Sequence, residues 1–278
     1  MTSVNANGIG NANIEPSEME MRHVYASYGP GKEVLDDVSF KVEKGRFTCL
    51  CGPSGAGKST IINILAGYLP SDMGECLIDG KSVVGPGKDR LVVFQETALF
   101  AWNTLWENTI YGPMVQGENL MEIADRAEYL INLVGLTGFE DKYPNQLSGG
   151  MQRRAELIRA LINEPKVLLM DEPFRGLDAM TREIMQEYII KVFETTGVSI
   201  FFITAELEEA IFLGDKAYFL TARPAKNKKE INIDLPRPRK FEHLMSRRFL
   251  ELQGEAIETV DEEAQKAFAF LLKGGQRR

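Results

Sequence analysis

The chain has 278 residues, a formal net charge of −8 at pH 7 and 44% hydrophobic content, enough for one sizeable core with a smaller appended unit. The acidic balance argues against nucleic acid as a partner, since its recognition normally requires a basic stripe. No apolar run approaches the ~20 residues that span a bilayer, the first residues lack the basic and apolar regions of a signal peptide, and Cys49, Cys51 and Cys76 lack metal or redox spacing.

Residues 1–18 are dominated by small and polar groups and are expected to form a disordered tail. From Met21 to Phe47, alternating segments such as Val38-Ser39-Phe40-Lys41-Val42 predict an antiparallel β-layer, with Gly29-Pro30-Gly31 as a turn. The apolar run Phe47-Thr48-Cys49-Leu50-Cys51 predicts a buried strand with both cysteines on one face. It leads into Gly52-Pro53-Ser54-Gly55-Ala56-Gly57-Lys58-Ser59, and a helical pattern follows from Thr60 to Leu65. Glycines at this spacing let the backbone curl so that successive N–H groups face phosphate oxygens. Lys58 then reaches the outer phosphates and Ser59 offers a hydroxyl to Mg²⁺. The segment implies a nucleoside triphosphate as ligand.

A short strand, Leu91-Val92-Val93-Phe94, precedes Gln95, and residues near 96–150 read as a mostly helical insertion. Within it Ile123, Ala127, Leu130, Ile131 and Val134 recur at helical spacing until Gly135, a stripe expected to pack in the core. Leu147-Ser148-Gly149-Gly150-Met151-Gln152-Arg153-Arg154 opens a helix that runs to about Asn163 and stops before Pro165. An open helix start of this kind can hold an anion, though Ser-Gly-Gly by itself is also an ordinary helix cap.

The run Val167-Leu168-Leu169-Met170 delivers Asp171 and Glu172 to a strand end, where ligands of such sheets are met. Asp171 is placed to hold the Mg²⁺ shell, and Glu172 to orient or deprotonate an attacking water. Another apolar run, Val198 to Ile203, is followed by Thr204-Ala205-Glu206. This alternation of strands and helices predicts a mainly parallel sheet covered by helices. Beyond Arg223-Pro224 come a polar stretch, then Leu235-Pro236-Arg237-Pro238-Arg239 and a charged, helix-prone tail, so residues 226–278 are expected to form a solvated helical extension.

The order of phosphate loop, Gln95, Leu-Ser-Gly-Gly-Met-Gln and Asp-Glu resembles that of the ATP-binding cassette (ABC) ATPases over nearly all of residues 20–225. The resemblance implies an α/β fold of the P-loop NTPase, RecA-like type, with an N-terminal antiparallel β-layer and an inserted helical subdomain at about 96–150. The ATPase domain would cover 19–225. In that family two nucleotide domains face each other head to tail. ATP and Mg²⁺ would be held by Gly52 through Thr60 of one copy, with Ser148, Gly149, Gly150 and Gln152 of the other, homologous or identical, closing over the γ-phosphate.

By the same resemblance, Gln95 senses Mg²⁺, water and the transport subunit, and Ser59, Gln95 and Asp171 are the metal-side residues. Tyr28 matches the aromatic that stacks on adenine, with Tyr25 as a nearby competitor, and Asp178 matches the acid that links the two sites. Lys58, Gln95 and Glu172 are the expected catalytic residues.

One position departs from the pattern. Where the family usually places a histidine that bonds the γ-phosphate, this chain has Ala205. Loss of one transition-state donor commonly costs about 10²–10³ in turnover, so slowed hydrolysis is expected. Degeneracy beside a competent partner chain, compensation by a group such as Glu206, and an engineered substitution all remain open. The rival expectation is an ATP-gated clamp that hardly hydrolyses.

Gln95-Glu96-Thr97-Ala98-Leu99-Phe100-Ala101-Trp102 is similar to a stretch of bacterial importers for nitrate, sulfonates and taurine, with Ala101 replacing the usual proline; Leu-Pro-Arg-Pro-Arg is similar too. The implied setting is the cytoplasmic face of the inner membrane. There the Gln95–Trp102 surface would receive a coupling helix of a membrane permease, served in turn by a solute-binding protein.

Overall fold

Buried and exposed residues alternate along β1 (Met19–Ser27) and β2 (Glu33–Val42), and the two strands pair antiparallel from Met19 opposite Val42 to Ser27 opposite Glu33. The computed structural model describes the backbone of residues 14–274 and the side chains of residues 14–261. β3 (Phe47–Cys51) leaves this layer for a second sheet and is followed by α1 (Lys58–Ala66). β4 (Met73–Ile78) and the short β5 (Lys81–Ser82) return to the first layer, whose order is β2-β1-β4-β5.

The second sheet takes in β6 (Arg90–Val93), β7 (Val167–Asp171), β8 (Ser199–Thr204), β9 (Lys216–Leu220) and β10 (Asn227–Asn232), in the order β10-β9-β3-β8-β7-β6. Every pair in it is parallel except β10 with β9. β3, β7 and β8 are buried throughout, which is why they read as unbroken apolar runs rather than alternating ones. Their period-two geometry still sorts side chains: Ile200 and Phe202 face one core cluster, Phe201 and Ile203 the other.

Registry matters most for the site. Cys51 lies opposite Thr204, Asp171 opposite Ile203, and Val93 opposite Met170, so four parallel strands end together along one edge. The helical insertion holds α2 (Leu105–Val115), capped by a reciprocal Thr104–Glu107 box, α3 (Leu120–Leu133), whose Ile123, Ala127, Leu130 and Ile131 are buried as the periodicity required, and α4 (Gly149–Leu161). α5 (Ala179–Thr196) and α6 (Leu207–Leu213) cover the same face of the sheet.

Two expected boundaries move. Within the tail predicted for residues 1–18, residues 1–13 lie outside the described residues, but Ile14 and Ser17 are buried. The Ser17 hydroxyl donates to Asp79 at 2.6 Å and its carbonyl accepts from the Ser199 hydroxyl at 2.6 Å.

The division expected after residue 225 runs through the second sheet, because β10 is its edge strand. The segment beyond is anchored and not simply solvated. Asp215 accepts from the Phe47 amide at 2.9 Å and from Arg237 Nε at 2.7 Å. Arg239, with a side chain 0% exposed, donates to Gly214 O at 2.6 Å and Pro236 O at 3.0 Å. α7 (Arg247–Gly274) buries Phe249, Leu252 and Ala256 in the main core. A run of charges does not distinguish solvated arginines from arginines that satisfy buried carbonyls.

Among the described residues no helix is long and apolar enough to cross a membrane.

Candidate nucleotide site

The glycine loop connects the carboxyl end of β3 to α1 and is shaped by its glycines. Gly55 and Gly57 have φ of 79° and 101°, and a Cβ on Gly57 would meet Val34 Cγ1 at 2.5 Å. Gly57 caps α1 without a side-chain acceptor, so no side chain competes for the amides of its first turn. The helix starts at Ser148 and Asp178 differ. Ser148 Oγ accepts from the Met151 amide at 3.3 Å, and the Asp178 carboxylate accepts from the Thr181 amide at 3.0 Å and its hydroxyl at 2.6 Å. Those two hydrogen bonds hold the Asp178 carboxyl below its usual range.

Lys58 is drawn back into its own loop. Its ammonium donates to Gly52 O at 2.8 Å and Pro53 O at 3.2 Å, and lies 3.1 Å from Glu172 Oε1. Three partners at one buried ammonium make a pre-set cation where an anion belongs.

Glu172 follows β7 with φ of 42°, a conformation a non-glycine residue adopts only when its surroundings impose it. Its amide donates to Ile203 O at 3.0 Å, its Oε1 meets Lys58, and its Oε2 accepts from Arg175 Nη1 at 2.9 Å. Asp171, one residue earlier, is buried; burial pushes its carboxyl above the ordinary range while a hydrogen bond with Ser59 opposes this. A hydroxyl and a carboxylate in contact suit Mg²⁺, which takes one or two protein oxygens and the rest from phosphates and water. Among the described residues no group of three or more His, Cys, Asp or Glu could hold a metal unaided.

Tyr28, in the turn after β1, hydrogen-bonds Thr60 Oγ1 at 3.0 Å, which brings an exposed ring beside the loop helix. Tyr25 sits within β1 opposite Met73. Ser54 and Ala56 complete the loop, Ala56 buried. Gln95 is exposed just past the end of β6, on the same edge as Glu172.

The signature segment is apart from these groups. Among the described residues Ser148 and Gln152 bond only within their own stretch: Gln152 Nε2 donates to Pro144 O at 2.8 Å and Leu147 O at 3.1 Å. Gln152, grouped in the sequence with the nucleotide-binding residues, therefore pins the turn before Ser148. Gly149 has open space where a Cβ would be, while one on Gly150 would meet Thr181 Cγ2 at 2.9 Å.

The sequence reading missed a tie between the signature helix and the segment after Gln95. Arg153 Nη1 donates to Phe94 O at 2.7 Å and to Glu156 Oε2 at 2.8 Å, and Glu156 Oε1 accepts from the Ala98 amide at 2.8 Å. Arg159 donates to Ala98 O at 2.7 Å and lies over the Phe100 ring at 5.1 Å. An i, i+3 charge pair inside a helix that is otherwise apolar on one face was the available signal. Phe100 also packs on Trp102, 5.4 Å between centroids, and Trp102 is 75% exposed.

Ala205 follows the end of β8 and lines a cavity of about 270 Å³ shared with Ser54, Glu172, Arg175, Arg182 and Glu209. Its methyl group offers no hydrogen bond. Glu206 is exposed, and its amide donates to Thr204 Oγ1 at 3.0 Å.

A family model described as "ABC transporter" matches residues 35–175. The chain is 41% identical to the nitrate import ATP-binding protein NrtD of Synechocystis sp., covering 78% of this chain and 82% of that one. It is 43% identical to the taurine import ATP-binding protein TauB of Pelagibacter ubique, over 74% and 77%. An uncharacterised ABC transporter ATP-binding protein of Methanocaldococcus jannaschii is 41% identical over 88% and 90%. Among solved structures, a dimeric ATP-binding cassette in a post-hydrolysis state with ADP and phosphate superposes with a TM-score of 0.67 at 27% identity, over 78% of this chain and 100% of that one. The cbiO1 protein of Clostridium perfringens shares the fold, with a TM-score of 0.72 at 23% identity over 78% and 89%.

Proposed function

The chain belongs to the ABC transporter ATP-binding family, and on that premise we propose that it is the ATPase subunit of an importer for a small anion of the nitrate, sulfonate or taurine kind. It works as a head-to-tail pair with a second ATPase subunit. The observation that carries this reading is the position of Lys58, one buried ammonium shared between loop carbonyls and the strand-end carboxylate Glu172.

Incoming phosphates compete with Glu172 for Lys58, because two or three phosphate charges outweigh one carboxylate. Glu172 Oε1 is thereby released to orient and deprotonate water for in-line attack. Ser59, Asp171 and Gln95 would hold Mg²⁺, which when bound neutralises charge on the β- and γ-phosphates. Tyr28 stacks on adenine. Gly52 to Thr60 grip the phosphates from one side, and Ser148, Gly149 and Gly150 of the opposing subunit close the other, with Asp178 at the junction. Among the described residues Ser148 and Gln152 bond to no group of the phosphate loop or of Glu172, which fits a cap supplied from outside.

Closure on ATP is transmitted to membrane permease subunits through Leu99, Phe100 and Trp102, and hydrolysis resets them. A solute-binding protein delivers the anion from the other side, and the ATPase subunit sits peripherally on the cytoplasmic face. The tie from Arg153 and Glu156 to the Gln95 segment supports this route, since movement of the signature helix is passed to the docking surface.

The test is Mg²⁺-dependent binding of ATP by the purified chain, followed by light scattering. Pairing on addition of ATP, and its loss on turnover, is the expected result; no affinity and no pairing would defeat the reading.

A further inference from the structure

The cavity beside Ala205 contains the γ-phosphate side of the proposed site, since Ser54 and Glu172 form part of its wall. Its hydrogen-bonding walls can be compared one by one. The Ala205 side chain donates nothing, and the Glu206 carboxylate, when ionised, only accepts. The Thr204 hydroxyl is already engaged with the Glu206 amide and the buried Glu209 carboxyl. Ser54 carries no charge. Two guanidinium groups remain. Arg182 is held toward Leu177 O at 3.4 Å and stands beside Glu209, whose charge it offsets. Arg175 is different: it is 58% exposed in its side chain and is attached at its tip, through Nη1, to Glu172 Oε2 at 2.9 Å.

Resting on the ATPase reading above, we propose that Arg175 is a catalytic residue that supplies to the terminal phosphate the donor that position 205 lacks. A guanidinium has five N–H groups in a planar fork, so one edge can stay on Glu172 while the other donates to a γ-phosphate oxygen. Lys58 and Arg175 thus divide the two oxygens of Glu172. When phosphates take Lys58, Oε1 becomes the base and Oε2 keeps the arginine.

In the step itself the water oxygen bonds to the γ-phosphorus and the bond from that phosphorus to the β–γ bridging oxygen breaks. The water proton passes to Glu172 Oε1, and ADP and phosphate result. Arg175 neither gains nor loses a proton; it neutralises charge that builds on the phosphoryl oxygens, the role an arginine fills in other phosphoryl transfers.

The experiment is a cycle on the full chain: R175A and R175K, each alone and combined with A205H. Steady-state ATPase and the affinity for a fluorescent ATP analogue are measured on each. If Arg175 replaces the missing imidazole, R175A loses about 10² in kcat, with analogue affinity kept within about threefold. R175K recovers only part, since an ammonium cannot bridge as a fork does. In the A205H background the same R175A change costs less than about threefold, because the imidazole now donates. Free guanidinium partly restores R175A and does little for R175A/A205H. The proposal is overturned if R175A is harmless, or if it costs the same factor in both backgrounds, which would mark Arg175 as no more than a support for Glu172. Failure of the unaltered chain to bind the analogue at all would remove the ATPase reading, a result distinct from either.

Discussion

Lys58 and Glu172 form a buried ion pair, Nζ to Oε1 3.1 Å, with 6% and 10% of their side chains exposed. Residues more than a hundred positions apart in the chain are joined because β3 and β7 flank β8 in parallel and end level with it. Without nucleotide the pair satisfies two charges whose separation in a buried place is costly. On the proposed reading, the same ammonium is the group that incoming phosphates would draw from Glu172.

Glu172→Gln tests the role of that carboxylate. The amide keeps the size and a hydrogen-bonding oxygen but is no base, so turnover is expected to fall by about 10²–10⁴ with ATP affinity retained. ATP-loaded pairs should then accumulate in light scattering. Unchanged turnover would favour a non-hydrolysing clamp.

Asp171→Asn separates folding from metal use. Burial raises the Asp171 carboxyl above its ordinary value. The folded chain therefore holds a proton in a window where the unfolded chain has released it. This group's contribution to stability is complete below the unfolded value and is lost as pH rises through the folded value. At neutral pH the nucleotide-free Asn variant should melt higher than the parent, by about 2–4 °C for each kcal/mol recovered, and the advantage should shrink as pH falls into the ordinary carboxylate range. Added Mg²⁺ and ATP should stabilise the parent and barely affect the variant. Calorimetry across pH checks both.

Phe100→Ala with Trp102→Ala probes the docking surface. Phe100 is held by Trp102, by Tyr111 at 4.8 Å and by Arg159, while Trp102 faces solvent. The double variant is expected to bind ATP as the parent does but to lose co-purification with the permease and transport-coupled ATPase in proteoliposomes. Persistent co-purification would move docking elsewhere.

Glu156→Ala breaks the tie between the signature helix and the Gln95 segment. It leaves the buried Arg153 charge without its carboxylate and removes the acceptor of the Ala98 amide, which should cost about 3–5 kcal/mol in urea unfolding. Hydrogen exchange at residues 95–98 should rise. The Glu156→Gln variant, which keeps an acceptor for the amide, should recover part of both.

The strands, the loop and the acids are legible from residue order alone, because local chemistry suffices for them. Glycine spacing between β3 and α1, a four-residue apolar run leading into Asp171, and a stripe at helical period in α3 each have one comfortable backbone solution. Residue order also exposes Ala205, since a missing donor is visible without coordinates.

Partnerships between side chains, by contrast, emerge only from the folded chain. Whether Arg175 is a solvated charge or the second ligand of Glu172, whether Gln152 faces nucleotide or holds the Pro144 turn, and whether Arg239 lies in water or under Gly214 depend on groups distant in the chain. Charged and polar side chains are long and take whichever partner the fold brings within reach. Their residue type states what they can bond to, and only the packing of β10, α5 and α7 against the parallel sheet states with whom.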